Sequence, residues 1–174
     1  MRSRGEDPER NLQRSIDADN ALIEGFPEVT FGIHICRGNA RTVDPQTGKL
    51  VPQWHREGHY DAIAERLFNN LKHHRLLLEY DSDRAGGFEP LRLVPNDKIV
   101  VLGLVTTKSS DLEPIDELER RIDQASRYLP LEQLAISPQC GFGGIDSKVM
   151  SENEMWRKLE RIVETAQHVW NSLI

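Results

Sequence analysis

Residues 98–106, KIVVLGLVT, constrain this chain more than any other segment. The apolar run is almost unbroken, so the strand it forms must be covered on both faces. Such a strand belongs in a parallel sheet, where neighbours are joined by helical crossovers. The flanking segments agree. Ile63, Ala64, Leu67, Phe68 and Leu71 precede it at helical spacing, and Ile115, Leu118, Ile122, Ala125 and Leu129 follow it. Further strands are expected at residues 29–36, 75–81 and 134–137. In the first of these Val29, Phe31, Ile33 and Ile35 share one face, and Thr30, Gly32, His34 and Cys36 the other.

A helix is expected to open the chain. Asp7 can cap it and Pro8 suits its first turn, but Arg10 stands where a full capping box needs Glu or Gln. Its thin stripe is Leu12, Ile16 and Ile23, with an end near Gly25. Ser151 and Glu154 form a capping box for the last helix, and Trp156, Leu159, Ile162, Val163, Ala166, Val169 and Trp170 form its stripe. Both tryptophans are expected in the core, and the charges of ELERRID on a solvated face. The order αβαβαβαβα gives an α/β fold of four parallel strands with right-handed crossovers. Residues 37–59 contain Gly38, Pro45, Gly48, Pro52 and Gly58, which reads as a long loop. Residues 83–97 read as loop with a helical turn before Pro95. No dinucleotide fingerprint or phosphate loop follows a strand; Gly141-Phe142-Gly143-Gly144 lacks both spacings.

A net charge of −6 with scattered Lys and Arg argues against nucleic acid or an anionic membrane as the main partner. The longest apolar stretch is far short of the roughly 20 residues a membrane helix needs. The polar start, MRSRGEDPER, does not read as a signal peptide, so a cytoplasmic location is expected. In that compartment Cys36 and Cys140 suit a metal site or a reactive thiol better than a disulfide.

The chemistry-bearing residues gather at strand ends. His34 and Cys36 lie two apart at the end of the first strand, Glu79 closes the second, and Cys140 follows the fourth. The C-terminal ends of parallel strands are where sites are built. One imidazole, two thiolates and a carboxylate make a tetrahedral zinc set. Each residue alone has an ordinary structural explanation. A strand-end His is often simply hydrogen-bonded. A lone Cys often fills apolar space, and Glu79 can pair with Arg84 or Arg37. Joint placement at one end of one sheet favours the metal reading. His55 and His59, four apart beside Trp54, sit in the Gly/Pro segment and read as solvated loop. His73-His74 suits a helix C-terminus.

Three motifs, in order, extend this reading: His34-Ile35-Cys36-Arg37-Gly38-Asn39, Leu77-Leu78-Glu79-Tyr80-Asp81, and Ser137-Pro138-Gln139-Cys140-Gly141-Phe142. Together they resemble the last strands of the cobalamin-independent methionine synthase catalytic domain and its shorter relatives. The resemblance covers nearly the whole chain. It implies a (β/α)₈ TIM barrel, of which residues 1–174 would be a single partial domain, the C-terminal half. It also implies Zn²⁺ held by His34, Cys36, Glu79 and Cys140, with Glu79 a catalytic, exchangeable ligand that yields to substrate sulfur. The implied enzyme is an S-methyltransferase of methionine biosynthesis. Zinc would hold a small-molecule thiol, homocysteine, as a thiolate that attacks the methyl carbon of a methyl-tetrahydrofolate-type donor. A complementary half-barrel or a second copy is an expected partner.

Two departures from the family pattern stand out. Methionine synthases place a His after the penultimate strand, whereas this chain has Thr106-Thr107-Lys108-Ser109 there. The segment after Cys36 is also longer. Both leave open another donor or another thiol such as coenzyme M. A non-catalytic half-barrel is the alternative from outside enzymology; a metal-free uroporphyrinogen-decarboxylase-like barrel would not need both cysteines.

Overall fold

The computed structural model describes residues 5–36, 41–48, 50–52, 59–142 and 150–170. In chain order the elements are α1 (Pro8–Leu22), β1 (Gly32–Ile35), β2 (Arg41–Val43), β3 (Leu50–Pro52), α2 (Ala64–Asn70), β4 (Arg75–Glu79), β5 (Ile99–Val105), α3 (Ile115–Ser126), β6 (Leu134–Pro138) and α4 (Glu152–Trp170). Strands β1, β4, β5 and β6 form one sheet in that spatial order, and every neighbouring pair is parallel. Four parallel strands with flanking helices are therefore present, but the expected αβαβαβαβα alternation breaks between β4 and β5, where the crossover holds only short 3₁₀ turns, Asp83–Ala85 and Glu89–Leu93.

Register explains the core. Leu76 pairs with Val100 and Leu78 with Leu102, so these four share one face. All four are buried, beneath a layer that includes Phe68, Leu118 and Ile122. Each such side chain contributes roughly 1.5–3 kcal/mol relative to exposure. The opposite face carries His34, Leu77 and Val101 in register. There Leu77 and Val101 are only half-buried. The double-sided burial expected of residues 98–106 is thus complete on the helix side and partial on the other.

The termini of the helices follow their local signals. The Asp7 carboxylate accepts from the Glu9 N–H at 3.0 Å, with Pro8 in the first turn. At α4 the Glu154 carboxylate accepts from the Ser151 N–H at 2.6 Å, and the Ser151 hydroxyl accepts from the Glu154 N–H at 3.3 Å.

Several expectations are corrected. β1 begins at Gly32, and Val29 lies outside it: the Val29 N–H turns back to donate to Phe26 O and Val29 is exposed, although Phe31 O still accepts from Arg75 N–H. α1 ends at Leu22, short of Gly25. The segment read as loop holds an antiparallel hairpin of β2 and β3, with Gly48 at φ 66° in its turn. Trp156 is 53% exposed, so it is not core. Trp170 is half-buried, its indole N–H donating to Leu131 O at 3.0 Å. Within ELERRID, Arg121 is only partly exposed: its guanidinium lies 4.9 Å from the Phe88 ring centroid and donates to Tyr80 O. His73 is buried beyond the end of α2, and His74 Nδ1 accepts from Phe31 N–H. Residues 37–40, 53–58 and 143–149 lie outside the described residues, and with them Arg37, Asn39, Trp54, His55, Gly143 and Gly144.

Candidate metal centre

Parallel pairing puts the C-terminal ends of all four strands on one edge of the sheet. His34 is on β1, and Cys36 comes one residue after it. Glu79 ends β4, and Cys140 comes two residues after β6. An extended backbone sends side chains i and i+2 the same way, so His34 and Cys36 point together. One ligand atom from each of His34, Cys36, Glu79 and Cys140 lies within 4.8 Å of the other three. Cys36 Sγ is 3.3 Å from Cys140 Sγ, and His34 Nε2 is 3.6 Å from the latter. Glu79 Oε1 is 3.1 Å from His34 Nε2 and accepts from the Cys140 thiol at 2.6 Å.

The expected quartet is therefore brought together, while His59, 62% exposed on its side chain, stands apart from it. The ring of His34 is about one-third exposed whereas the Glu79 side chain is fully buried, so the cluster opens to solvent on the histidine side.

Glu79 is also paired as the ordinary structural explanation requires. Its Oε2 accepts from Arg84 Nη2 at 3.1 Å and from Gln139 Nε2 at 2.9 Å. Its backbone N–H donates to Tyr60 Oη at 3.0 Å, and the same hydroxyl donates to Ile35 O at 3.4 Å. Tyr60, itself fully buried, thereby ties the ends of β1 and β4 together. Beyond Glu79, Lys108 Nζ donates to Asp81 Oδ2 at 2.5 Å and to Gln139 Oε1 at 2.6 Å. Arg84 was recognisable in sequence as a partner of Glu79. Gln139, Lys108, Asp81 and Tyr60 were not, although Gln139 and Asp81 stand inside the quoted motifs.

The electrostatics fit a cation. Burial pushes the Cys140 thiol well above its usual range, and the hydrogen bonds to Glu79 and Cys36 push it further the same way. Two thiols and a carboxylate this close do not ionise together unless positive charge joins them, and a bound dication reverses that logic. Burial also lowers the Lys108 ammonium's pKa, against the opposing pull of Asp81.

A four-stranded parallel sheet with a His/Cys/Glu/Cys cluster at its strand ends fits the class of α/β proteins of the TIM-barrel kind, which build their sites at the C-terminal ends of the strands. Within that class, the family described as the catalytic domain of cobalamin-independent synthase matches residues 72–168, and the chain belongs to it. The Bacillus subtilis protein YxjG, itself uncharacterized, is 44% identical over 154 residues, covering 87% of this chain and 38% of its own. A Pyrococcus furiosus methionine synthase is 23% identical over 159 residues, or 91% of this chain and 39% of its own. A Listeria monocytogenes structure, provisionally described as a vitamin-B12-independent methionine synthase, superposes with a TM-score of 0.71 at 30% identity; the match covers 97% of this chain and 44% of that one. The chain thus spans less than half the length of these relatives. No helix among the described residues is long and apolar enough to cross a membrane.

Proposed function

We propose that this chain carries the zinc site of a thiol-alkylating enzyme, one that methylates homocysteine to methionine. The observation that supports it is the convergence of His34, Cys36, Glu79 and Cys140, with ligand atoms within 4.8 Å of one another. Zinc bound there supplies Lewis acidity that keeps a substrate thiol ionised near neutral pH. His34 contributes Nε2, Cys36 and Cys140 contribute thiolates, and Glu79 contributes Oε1. Two thiolate donors keep electron density high at the site, which suits a nucleophilic sulfur. By the family resemblance Glu79 would be the ligand that yields to substrate, and Arg84 and Gln139 would keep hold of its other oxygen whether or not Oε1 is engaged. The substrate sulfur loses its proton and bonds to the methyl carbon as that carbon's bond to the donor breaks. The donor's leaving atom then takes up a proton.

Residues 1–174 are read as one partial domain, the C-terminal half of a barrel. β1 and β6 are the outer strands of the sheet, and the face bearing Leu77 and Val101 is incompletely covered. Both features suit a complementary half, supplied by other residues or another chain. A cytoplasmic setting accompanies this reading, since thiolate ligands need reducing conditions.

A second reading is alkyl transfer to another thiol such as coenzyme M. The segment Thr106-Thr107-Lys108-Ser109 favours it, because it lacks the histidine of the methionine synthase pattern and its Lys108 is tied instead to Asp81 and Gln139.

The test is the zinc-to-protein ratio after gel filtration, by elemental mass spectrometry. One zinc per chain is expected; folded protein without zinc overturns the metal reading. Methylation assays with homocysteine or coenzyme M, with a complementary barrel half present, then separate the two acceptors.

A further inference from the structure

We propose that Gln139, oriented by Lys108, is a positioning residue that commits Glu79 to the metal through Oε1 alone; this rests on the zinc-site reading above. A free carboxylate can bind a metal through one oxygen or through both. Here the two oxygens of Glu79 have different surroundings. Oε1 faces His34 and Cys140, while Oε2 accepts from Gln139 Nε2 and Arg84 Nη2.

The clamp depends on which way the Gln139 amide points. Its carbonyl Oε1 accepts from Lys108 Nζ at 2.6 Å, so its NH₂ is turned toward Glu79. The flipped amide would set carbonyl against carboxylate and NH₂ against ammonium, losing both hydrogen bonds. Lys108 is fixed in turn by Asp81, whose Oδ2 also accepts from the Thr106 hydroxyl at 3.3 Å. Gln139 is 6% exposed, and the Lys108 side chain 14%. Water therefore competes weakly for these bonds. Backbone geometry holds the parts in place: Gln139 N–H donates to Val105 O at 2.9 Å, and Lys108 N–H to Thr106 Oγ1 at 3.2 Å.

Two consequences follow for the ligand exchange assigned to Glu79. Oε2 is withheld, so Glu79 would take up one position only, and a substrate sulfur that displaces Oε1 would take over that position without competition from a second carboxylate oxygen. When Oε1 leaves, Oε2 remains tethered, so Glu79 stays within reach and returns after product departs. Outer partners of this kind typically change metal affinity by 10–100-fold when removed.

The test uses the whole chain loaded with cobalt(II) in place of zinc, read by visible absorption and by chelator competition. Four-coordinate cobalt absorbs visible light far more strongly than five- or six-coordinate cobalt. Gln139→Met and Lys108→Met leave Oε2 on Arg84 Nη2 alone and are expected to bind cobalt roughly 10–100-fold more weakly, with weakened visible bands as Oε2 comes within reach of the metal. Lys108→Arg keeps a donor for the Gln139 carbonyl and is expected to restore the parent spectrum. Gln133→Met, at a buried glutamine bonded to Pro95 O and Lys98 O, controls for general loss of a buried amide and should leave the spectrum unchanged. If Gln139→Met does not fold, the Lys108→Met and Lys108→Arg pair decides the matter. A parent chain that takes up no cobalt overturns the metal site beneath the proposal. A parent that binds one cobalt, with Lys108→Met and Gln139→Met matching it in affinity and spectrum, overturns the clamp alone.

Discussion

Gly103→Ala tests whether the spacing between β4, β5 and β6 sets the geometry of the cluster. Gly103 pairs with Glu79 across one neighbour and with Ser137 across the other. A Cβ added there would stand 3.0 Å from Leu78 O, 3.2 Å from Gln139 Cα and 3.3 Å from Pro138 O. All three are backbone atoms of the flanking segments, so none can rotate away. Ordinary carbon contacts lie at roughly 3.5–4.0 Å, so the strands must part by a few tenths of an ångström. Overpacking of this kind costs about 1–3 kcal/mol. The parting moves Gln139 and Cys140 away from Glu79, and a 10–100-fold loss of zinc affinity is expected, on the scale of outer-partner changes at metal sites. Urea unfolding gives the first quantity as a lowered midpoint at constant slope; chelator competition gives the second. Gly141→Ala is the control, since a Cβ there meets nothing within 4 Å although it adjoins Cys140. Parent-like stability and affinity in Gly103→Ala would refute the spacing argument. Lost stability with unchanged affinity would refute its link to the cluster.

Other outcomes follow from the same geometry. Cys36→Ser and Cys140→Ser should each abolish stoichiometric zinc, and unchanged metal content in either removes that residue from the ligand set. Glu79→Gln should impair turnover more than zinc retention, because an imidazole and two thiolates remain; zinc loss as complete as in Cys36→Ser would end the exchangeable-ligand role. Lys158 is fully buried, with its ammonium on Asp111 O and the Glu113 carboxylate. Lys158→Met should cost about 3 kcal/mol, the lower end for a broken buried pair because Glu113 keeps some water contact; a chevron or urea midpoint like the parent's would refute it. Ser151 N–H and the Ser151 hydroxyl hold the Glu154 carboxyl below the usual carboxylate range. The unfolded chain then binds that proton more readily, so the cap stabilises above the ordinary carboxylate pKa and fades as pH falls through the lowered folded value. Ser151→Ala removes the hydroxyl's share and keeps the N–H's, so the acid limb should become shallower in a circular-dichroism titration, and parallel limbs would show that the hydroxyl contributes nothing to it.

The parts of this molecule that were legible in its sequence are those set by local rules. The parallel sheet follows from the apolar run of β5 and the helical spacings around it, and the quartet follows from residues placed at successive strand ends. The misreadings arise where tertiary contacts override local pattern. Val29 continues the alternation of β1, yet a turn onto Phe26 removes it from the sheet. Arg121 sits in a run of charges, yet the Phe88 ring and Tyr80 O draw it inward. The hairpin of β2 and β3 escaped notice because its strands are three residues each, too short for periodicity to register. Gln139 and Lys108 are 31 positions apart, and no spacing rule links them.

The order of the sheet gives the quartet a mechanical meaning. His34 and Cys36 belong to one outer strand and Cys140 follows the other, with β4 and β5 between them. In a flat sheet those outer strands would be about 14 Å apart, three strand spacings of roughly 4.8 Å. Yet Cys36 Sγ and Cys140 Sγ are 3.3 Å apart. The sheet's curl and inward-leaning side chains close that gap. The quartet thus draws on both margins of the sheet at once, and a metal bound there would staple one margin to the other.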